Sequence, residues 1–210
     1  MGHVVLLGDS IFDNAAYVAG APDVVRQVRA ALPAGWTATL AAVDGAVTSG
    51  VASQLARVPD GATHLVVSVG GNDALRQSHL LEAPARSMAE AVARLAEVRE
   101  GFAAEYRAML DRVAALRLPT AVCTIYDARF PDPRYQRLVV TALTLFNDAI
   151  TREAFGRGID LLDLRLICDR ADDYANPIEP SARGGGKIAR AVARLLAEHD
   201  FSRRRTEVYV

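Results

Sequence analysis

The chain has 210 residues, of which 51% are hydrophobic and 23% are charged, and its formal net charge is −1. This length favours one domain with a sizeable core, which we place at residues 1–210. The nearly neutral charge excludes a bulk electrostatic attraction to nucleic acid. No apolar run approaches the ~18 residues of a transmembrane helix, so a membrane partner is excluded as well.

Short apolar runs alternate with longer amphipathic runs along the chain. The apolar runs, rich in Val, Ile, Leu and Thr, predict strands at residues 4–7, 37–43, 64–69, 120–126 and 159–164. The amphipathic runs predict helices at residues 23–32, 47–58, 87–117, 134–155 and 186–199. In the third helix, Ser87 and Glu90 have the spacing of a capping box and Gly101 is a candidate break; Gly156 is a candidate C-cap of the fourth.

Most of the predicted strands are continuously apolar rather than alternating, which is typical of strands that are covered on both faces. Together with the alternating order of strands and helices, this predicts a three-layer α/β/α fold with a five-stranded parallel sheet.

The cysteines and the chain ends bear on disulfide formation, metal binding and localisation. Cys123 and Cys168 are isolated from each other, which indicates neither a disulfide framework nor a zinc site. An apolar run follows the first residues without a charged leader, so we expect a cytoplasmic protein. The basic cluster at residues 202–207 is predicted to be a solvated tail rather than a binding surface. The oligomeric state stays open.

Polar residues follow the first three predicted strands. They are Asp9 and Ser10, Asp44 and Gly45, and Asn72 and Asp73. Taken singly, each has a structural explanation as a helix cap, a turn glycine or a side chain bonded to nearby backbone. Because the carboxyl ends of parallel strands share one edge of a sheet, together they predict a site.

A hydroxyl that attacks an acyl carbon creates an oxyanion, which needs preorganised hydrogen-bond donors. Ser10 supplies such a hydroxyl. The backbone N–H groups of Ser10 and Gly45 and the side-chain amide of Asn72 are donors of the required kind.

The segments "LLGDS" and, about sixty residues later, "GGND" resemble the SGNH hydrolase superfamily, also called the GDSL esterase/lipase family. The family's Ser, Gly and Asn match Ser10, Gly45 and Asn72 in order. The resemblance implies a flavodoxin-like sheet and hydrolysis of esters, thioesters, acetylated sugars or lipids through an acyl-enzyme. The carboxylates in the sequence show no metal-ligand spacing, so we expect neither a metal nor another cofactor.

The C-terminal motif departs from the family's pattern of an Asp and a His before the last helix. Asn176 stands at the Asp position and Glu179 at the His position. Glu179 is the candidate substitute base, with a pKa raised by burial, and Asn176 is predicted to hold it through an amide N–H. Alternatively, Glu179 pairs with Arg129 or Arg183 and catalysis is lost. His79 is the only histidine candidate for the base.

Four residues are predicted to line the substrate site: Asp9, Phe12, Tyr126 and Arg129. The first hypothesis is a serine hydrolase that acts on a small-molecule acyl ester. The second is a catalytically impaired protein that binds an acyl or acetylated ligand without turnover. A flavodoxin-like nucleotide binder is disfavoured because no glycine-rich phosphate loop follows the first strand, where Asp9 would repel a phosphate.

Overall fold

The structure is a computed structural model that describes residues 2–203 and 205–210. Within these residues, six strands form one sheet in the order β2-β1-β3-β4-β5-β8, and every pairing is parallel. They are β1 (His3–Gly8), β2 (Thr37–Leu40), β3 (His64–Ser68), β4 (Thr120–Cys123), β5 (Asp160–Leu162) and β8 (Val208–Tyr209). A separate antiparallel hairpin joins β6 (Tyr174–Asn176) to β7 (Glu179–Pro180).

Helices connect the strands and cover both faces of the sheet. They are α1 (Val24–Ala31), α2 (Val51–Leu55), α3 (Gly71–Arg76), α4 (Met88–Ala114), α5 (Pro133–Arg157), α6 (Leu164–Ile167) and α7 (Ala182–Glu198). Side chains cap several helix starts: Asp23 accepts from the N–H of Arg26, Asp132 from Tyr135 and Ser181 from Gly184. These bonds satisfy N–H groups that have no partner inside the helix.

The core is divided by the sheet because successive side chains of a strand point to opposite faces. Val4 and Leu6 of β1 pack in a cluster with α1, α6 and α7. Val5 and Leu7 pack in a second cluster with α2, α4 and α5. Burying each such side chain contributes about 1.5–3 kcal/mol, so both faces of the sheet hold the layers together.

The predicted three-layer α/β/α fold and its five strands are confirmed, with a sixth strand added at the C-terminus. Val208 and Tyr209 pair with β5, so this part of the chain docks on the sheet. The prediction of a solvated tail at residues 202–207 is wrong at its end, where the N–H of Glu207 donates to Asp160. Arg204, in the middle of that segment, lies outside the described residues.

Three local predictions are corrected by the helices. Gly101 does not break α4, which runs through it as one helix. The C-cap of α5 is Gly158, in a left-handed conformation with φ 68°, and not Gly156. Ser87 accepts from the N–H of Glu90 as expected, but the Glu90 carboxylate accepts from the N–H of Arg86, so the capping box is only half formed.

Among residues 2–203 and 205–210, no helix combines the length and the apolar character that a membrane span requires.

Candidate active site

The turn after β1 places Ser10 at the carboxyl edge of the sheet. Gly8 has φ +123°, and a Cβ there would lie 1.7 Å from the carbonyl oxygen of Ser68, so this close approach of β1 to β3 requires glycine. The side chain of Gln54 holds Gly8 from both sides, accepting its N–H and donating to its carbonyl at 2.7 Å each. These contacts to the backbone of Gly8 therefore fix the turn that precedes Ser10.

The hydroxyl of Ser10 donates to Oε1 of Glu179 at 3.0 Å. The two residues are 169 positions apart in the chain and are only 7% and 5% exposed. Glu179 lies in β7, whose next residue, Pro180, accepts a hydrogen bond from the side-chain amide of Asn14 at 3.1 Å. The contact thus joins the end of β1 to the hairpin that precedes α7.

The surroundings of Glu179 disfavour its charged form. Burial raises the pKa of Glu179 to about 7, the nearby carboxylate of Asp44 raises it further, and the hydrogen bond from Ser10 opposes both effects. Its second oxygen, Oε2, is buried without a hydrogen-bond partner among the described residues. At neutral pH, this carboxyl group is therefore able both to take up and to release a proton.

Neither arginine considered as a partner of Glu179 contacts it. Arg183 pairs with Asp172 and Asp173. The guanidinium of Arg129 donates to the carbonyl of Asp169 and lies over the ring of Tyr174, 5.4 Å from its centre. Within the described residues, Glu179 therefore lacks the ion pair with an arginine that the alternative interpretation required.

The prediction that Asn176 holds the Glu179 carboxylate through its amide N–H is not met by the geometry. The side-chain oxygen of Asn176 accepts the backbone N–H groups of Ile178 and Glu179, at 2.9 and 3.0 Å. Asn favours such bonds to backbone two or three residues ahead. Asn176 is exposed and fixes the turn of the hairpin, so it positions the backbone of Glu179 rather than its carboxylate.

The three predicted oxyanion donors differ in the contacts that they make. Among the described residues, the backbone N–H groups of Ser10 and Gly45 donate to no acceptor. Gly45 has φ +75° and is exposed, and it does not line the cavity that Ser10 and Asn72 share. Asn72 donates one amide hydrogen to the carbonyl of Ala46 at 3.0 Å, which ties the Gly45 loop to α3 and leaves its other hydrogen free.

A cavity of about 100 Å³ opens beside Ser10. Asp9, Ser10, Asn72, Tyr126 and Glu179 all line it. Asp9 is 3% exposed and accepts the N–H of Ile11 at 3.2 Å, while burial and the charges of Glu179 and Asp73 raise its pKa to about 8. Tyr126 donates to the carbonyl of Ile178 at 2.7 Å, so its hydroxyl is engaged in holding the hairpin.

Two residues predicted to line the substrate site lie elsewhere. Phe12 is fully buried in the core cluster with α1 and α7, because the turn directs it under the sheet edge, and Ile11 faces the cavity instead. Arg129 is exposed and turned towards Asp169. Both are adjacent in sequence to residues that line the cavity. Neighbouring side chains point in different directions, so Phe12 and Arg129 point away from it.

All four histidines are described, and none lines the cavity. His79, the predicted rival base, is exposed, with Nδ1 3.1 Å from the carbonyl oxygen of Arg76. His199 contacts Asp160 at the amino end of β5, at the opposite edge of the sheet. Glu179 is thus the one base that the structure brings to the Ser10 hydroxyl within the described residues.

The sequence prediction missed the apolar residues that complete the cavity. They come from α3, α4 and α5 and from the 3₁₀ turn Ser78–Leu81. In α4 and α5 the pattern of apolar residues predicted only a core-facing stripe, and periodicity alone does not separate a core contact from a cavity wall.

The chain as a whole is similar to a known protein family. The family model described as GDSL-like lipase/acylhydrolase matches residues 6–186. A comparison with curated proteins gives no match.

Solved structures with the same fold include three enzymes that align over nearly the whole chain. An extracellular lipase from Streptomyces rimosus is 20% identical with a TM-score of 0.64, covering 95% of this chain and 100% of its own. A phospholipase A1 from Streptomyces albidoflavus is 17% identical with a TM-score of 0.66, covering 95% and 99%. A carbohydrate acetylesterase from Sinorhizobium meliloti is 13% identical with a TM-score of 0.62, covering 94% and 99%. At these identities the likeness establishes the fold.

Proposed function

The chain belongs to the GDSL-like lipase/acylhydrolase family, and on that premise we propose that it cleaves an ester or acyl group of a small molecule through an acyl-enzyme at Ser10. Glu179 acts as the general base in place of a histidine. The observation that carries this proposal is the hydrogen bond of 3.0 Å from the Ser10 hydroxyl to Glu179.

In the first half of the reaction, Oγ of Ser10 attacks the acyl carbon while its proton passes to Oε1 of Glu179. The backbone N–H groups of Ser10 and Gly45 and the Asn72 amide stabilise the oxyanion. The intermediate then collapses, the ester C–O bond breaks, and the alcohol leaves with the proton held by Glu179.

In the second half, water attacks the acyl group on Ser10. Glu179 takes a proton from this water and returns a proton to Oγ as the acid leaves. Ionised Glu179 beside a developing oxyanion would repel it. Because Glu179 becomes neutral in the same step, and its pKa of about 7 allows this at neutral pH, the carboxylate fits the role.

A second candidate function, binding of an acyl ligand without turnover, is favoured by one observation. Apart from Ser10, no described side chain donates to the Glu179 carboxylate, and Oε2 has no partner. A histidine base in a serine hydrolase is oriented by a carboxylate, and Glu179 lacks such a partner.

Labelling with a fluorophosphonate followed by peptide mapping separates the two functions. We expect modification of Ser10 in the wild-type protein and loss of ester hydrolysis in Ser10→Ala. Glu179→Gln keeps the shape of the side chain and removes the base, so hydrolysis of short p-nitrophenyl esters should fall by ~10²–10⁴. Glu97→Gln, at an exposed position of α4, is the matched control and should retain the wild-type rate.

Full hydrolysis by Glu179→Gln together with none by Ser10→Ala would assign the activation of Ser10 to another group. Absence of both labelling and hydrolysis in the wild-type protein would favour the binding protein.

A further inference from the structure

Asp9 carries a carboxyl group that lines the cavity and that the proposed reaction leaves unused. It directly precedes Ser10 and is only 3% exposed. Its Oδ1 accepts the N–H of Ile11 at 3.2 Å, so the side chain folds back along the turn that carries the nucleophile. No other described residue donates a hydrogen bond to Oδ2. This oxygen is therefore available to a ligand in the cavity.

The Asp9 carboxyl group also lies close to the start of α3. A Cβ at Gly71, the first residue of that helix, would lie 3.9 Å from Oδ2 of Asp9. The next residue, Asn72, lines the same cavity as Asp9 and Ser10, whereas Gly45 does not. Asp9 is thus next to Ser10 and Asn72, the two donors of the proposed oxyanion that share the cavity.

The surroundings of Asp9 favour its neutral form. Burial and the charges of Glu179 in β7 and Asp73 in α3 raise the pKa of Asp9 to about 8, and the bond from the backbone opposes them. The other titratable or polar groups that face it are neutral, namely the hydroxyls of Ser68 and Tyr126 and the thiol of Cys123. Within the described chain, no lysine, arginine or histidine lines the cavity. At neutral pH the O–H of Asp9 is therefore a hydrogen-bond donor.

We propose that neutral Asp9 donates its O–H to the oxyanion of the reaction, as a third donor in the cavity beside Ser10 and Asn72. The inference rests on the proposed function and adds a catalytic residue to it. The proton stays on Asp9 throughout, and its hydrogen bond strengthens as negative charge develops on the acyl oxygen. A buried acid that is kept neutral can stabilise an oxyanion in this way. An ionised Asp9 would repel the same oxyanion.

The pH dependence of hydrolysis of p-nitrophenyl acetate tests this role. Ionisation of Asp9 removes a donor and adds a negative charge, so wild-type kcat/KM should fall above a pH of about 8. Asp9→Asn keeps an acceptor for Ile11 and an N–H donor but cannot ionise. It should retain kcat within about tenfold and lose the fall, whereas Asp9→Ala should lower kcat by ~10²–10³ with a smaller change in KM. Asp60→Asn, at an exposed position, should keep the wild-type profile.

Asp73→Asn provides a second variant should Asp9→Ala fold poorly. It removes a charge that raises the pKa of Asp9, so the fall should move to lower pH. Infrared spectroscopy reads the protonation of Asp9 without a substrate. The wild-type spectrum minus that of Asp9→Asn should contain a carboxylic-acid C=O band at pH 7, and this band should disappear as the pH rises through about 8.

Three results would overturn the inference: no such band at pH 7, a wild-type rate that does not fall between pH 8 and 10, or an Asp9→Asn enzyme as inactive as Asp9→Ala. Hydrolysis of no ester by the wild-type protein would contradict the proposed function instead. The infrared band would then decide by itself whether Asp9 is a hydrogen-bond donor of the cavity.

Discussion

Glu179 combines burial, one hydrogen bond from Ser10 and one unpartnered oxygen. Burial alone favours the neutral acid, and the Ser10 hydroxyl favours the carboxylate. A base with a pKa near the working pH balances the fraction that is ionised against the driving force for proton transfer. Desolvation thus gives the Glu179 carboxyl group a pKa near neutrality, which a histidine has without any perturbation.

The pH dependence of hydrolysis should report this group. Only ionised Glu179 can accept the proton of Ser10, so kcat/KM should rise with pH through an apparent pKa of about 7. Asp44→Asn removes a charge that raises the pKa of Glu179, so the rise should move to lower pH. Asp60→Asn, at an exposed position after α2, should leave the profile unchanged. A profile without a rise between pH 5 and 9 would contradict the assignment.

Asn72 should matter for the transition state more than for substrate binding. Asn72→Ala removes the proposed oxyanion donor and the bond to Ala46. We expect kcat on short esters to fall by ~10²–10³, with a smaller change in KM, because the oxyanion charge exists only in the transition state. If the amide only braces the Gly45 loop, kcat would stay at the wild-type value.

At the residue scale, the sequence predicts which residues could take part in the reaction better than it predicts where their side chains point. Ser10, Asn72 and Glu179 were predicted from their residue types and their positions at strand ends or before the last helix, and all three line one cavity. Asn176 was placed next to Glu179 correctly, but its amide binds backbone, since a short polar side chain in a turn reaches its own backbone first. Phe12 was assigned to the wrong side of a turn that periodicity does not describe.

At the scale of elements, the β6–β7 hairpin and α7 decide where Glu179 lies. Ser181 caps α7 and also donates to the carbonyl of Asp172 at 2.7 Å. Gly184 lies against the backbone just before β6, because a Cβ there would come within 2.1 Å of the carbonyl oxygen of Asp173. The helix can approach the hairpin this closely only because this residue has no side chain.

Gly184→Ala should therefore separate α7 from the hairpin. We expect a loss of about 1–3 kcal/mol in the free energy of unfolding and a reduced kcat/KM, because Glu179 moves with the hairpin. Gly101→Ala is the matched control, since a Cβ at this exposed position of α4 meets no atom within 4 Å. It should stabilise the protein by about 0.5–1 kcal/mol in denaturant unfolding. Equal effects of the two substitutions would exclude the close packing as the cause.

The long elements were predictable and the short ones were not. Every strand of the predicted sheet and the long helices are present, because apolar runs and helical periodicity extend over enough residues to be recognised. The hairpin of β6 and β7 has three and two residues and no periodicity of its own. Gly101 failed as a break because a single exposed glycine costs a helix of 27 residues only about 1 kcal/mol.

At the scale of the whole molecule, one edge of the sheet carries the candidate active site and the other carries a contact that stabilises the fold. The carboxyl edge holds Ser10 and the cavity. At the amino edge, Nε2 of His199 lies 2.8 Å from Asp160, and both side chains are almost completely buried. Asp160 also accepts the N–H of Glu207, which leads into β8. This contact fastens the last strand, whose position in the sheet was not predicted.

Removing His199 should therefore affect stability without affecting catalysis. His199→Ala leaves the Asp160 carboxylate buried without this partner, which should cost about 3 kcal/mol or more in the free energy of unfolding. We expect kcat/KM per folded molecule to remain within about twofold of the wild-type value. His79→Ala, at an exposed histidine, should change neither quantity. A large loss of kcat/KM in His79→Ala would instead make His79 the base.

The carboxyl groups of Asp9 and Glu179 also tie folding to proton uptake. Their pKa values rise from 3.8 and 4.5 to about 8 and about 7 in the native protein. Between these limits the native state holds protons that the unfolded chain releases, so the free energy of unfolding should fall as pH rises from about 4 to about 8. In thermal unfolding, Asp9→Asn should flatten this decline.

In the proposed mechanism, the ionisation of Glu179 that permits catalysis therefore also weakens the fold. Such an enzyme gains catalytic rate and loses thermal stability as the pH rises over one interval. Its total output during a long incubation should peak at a lower pH than its initial rate.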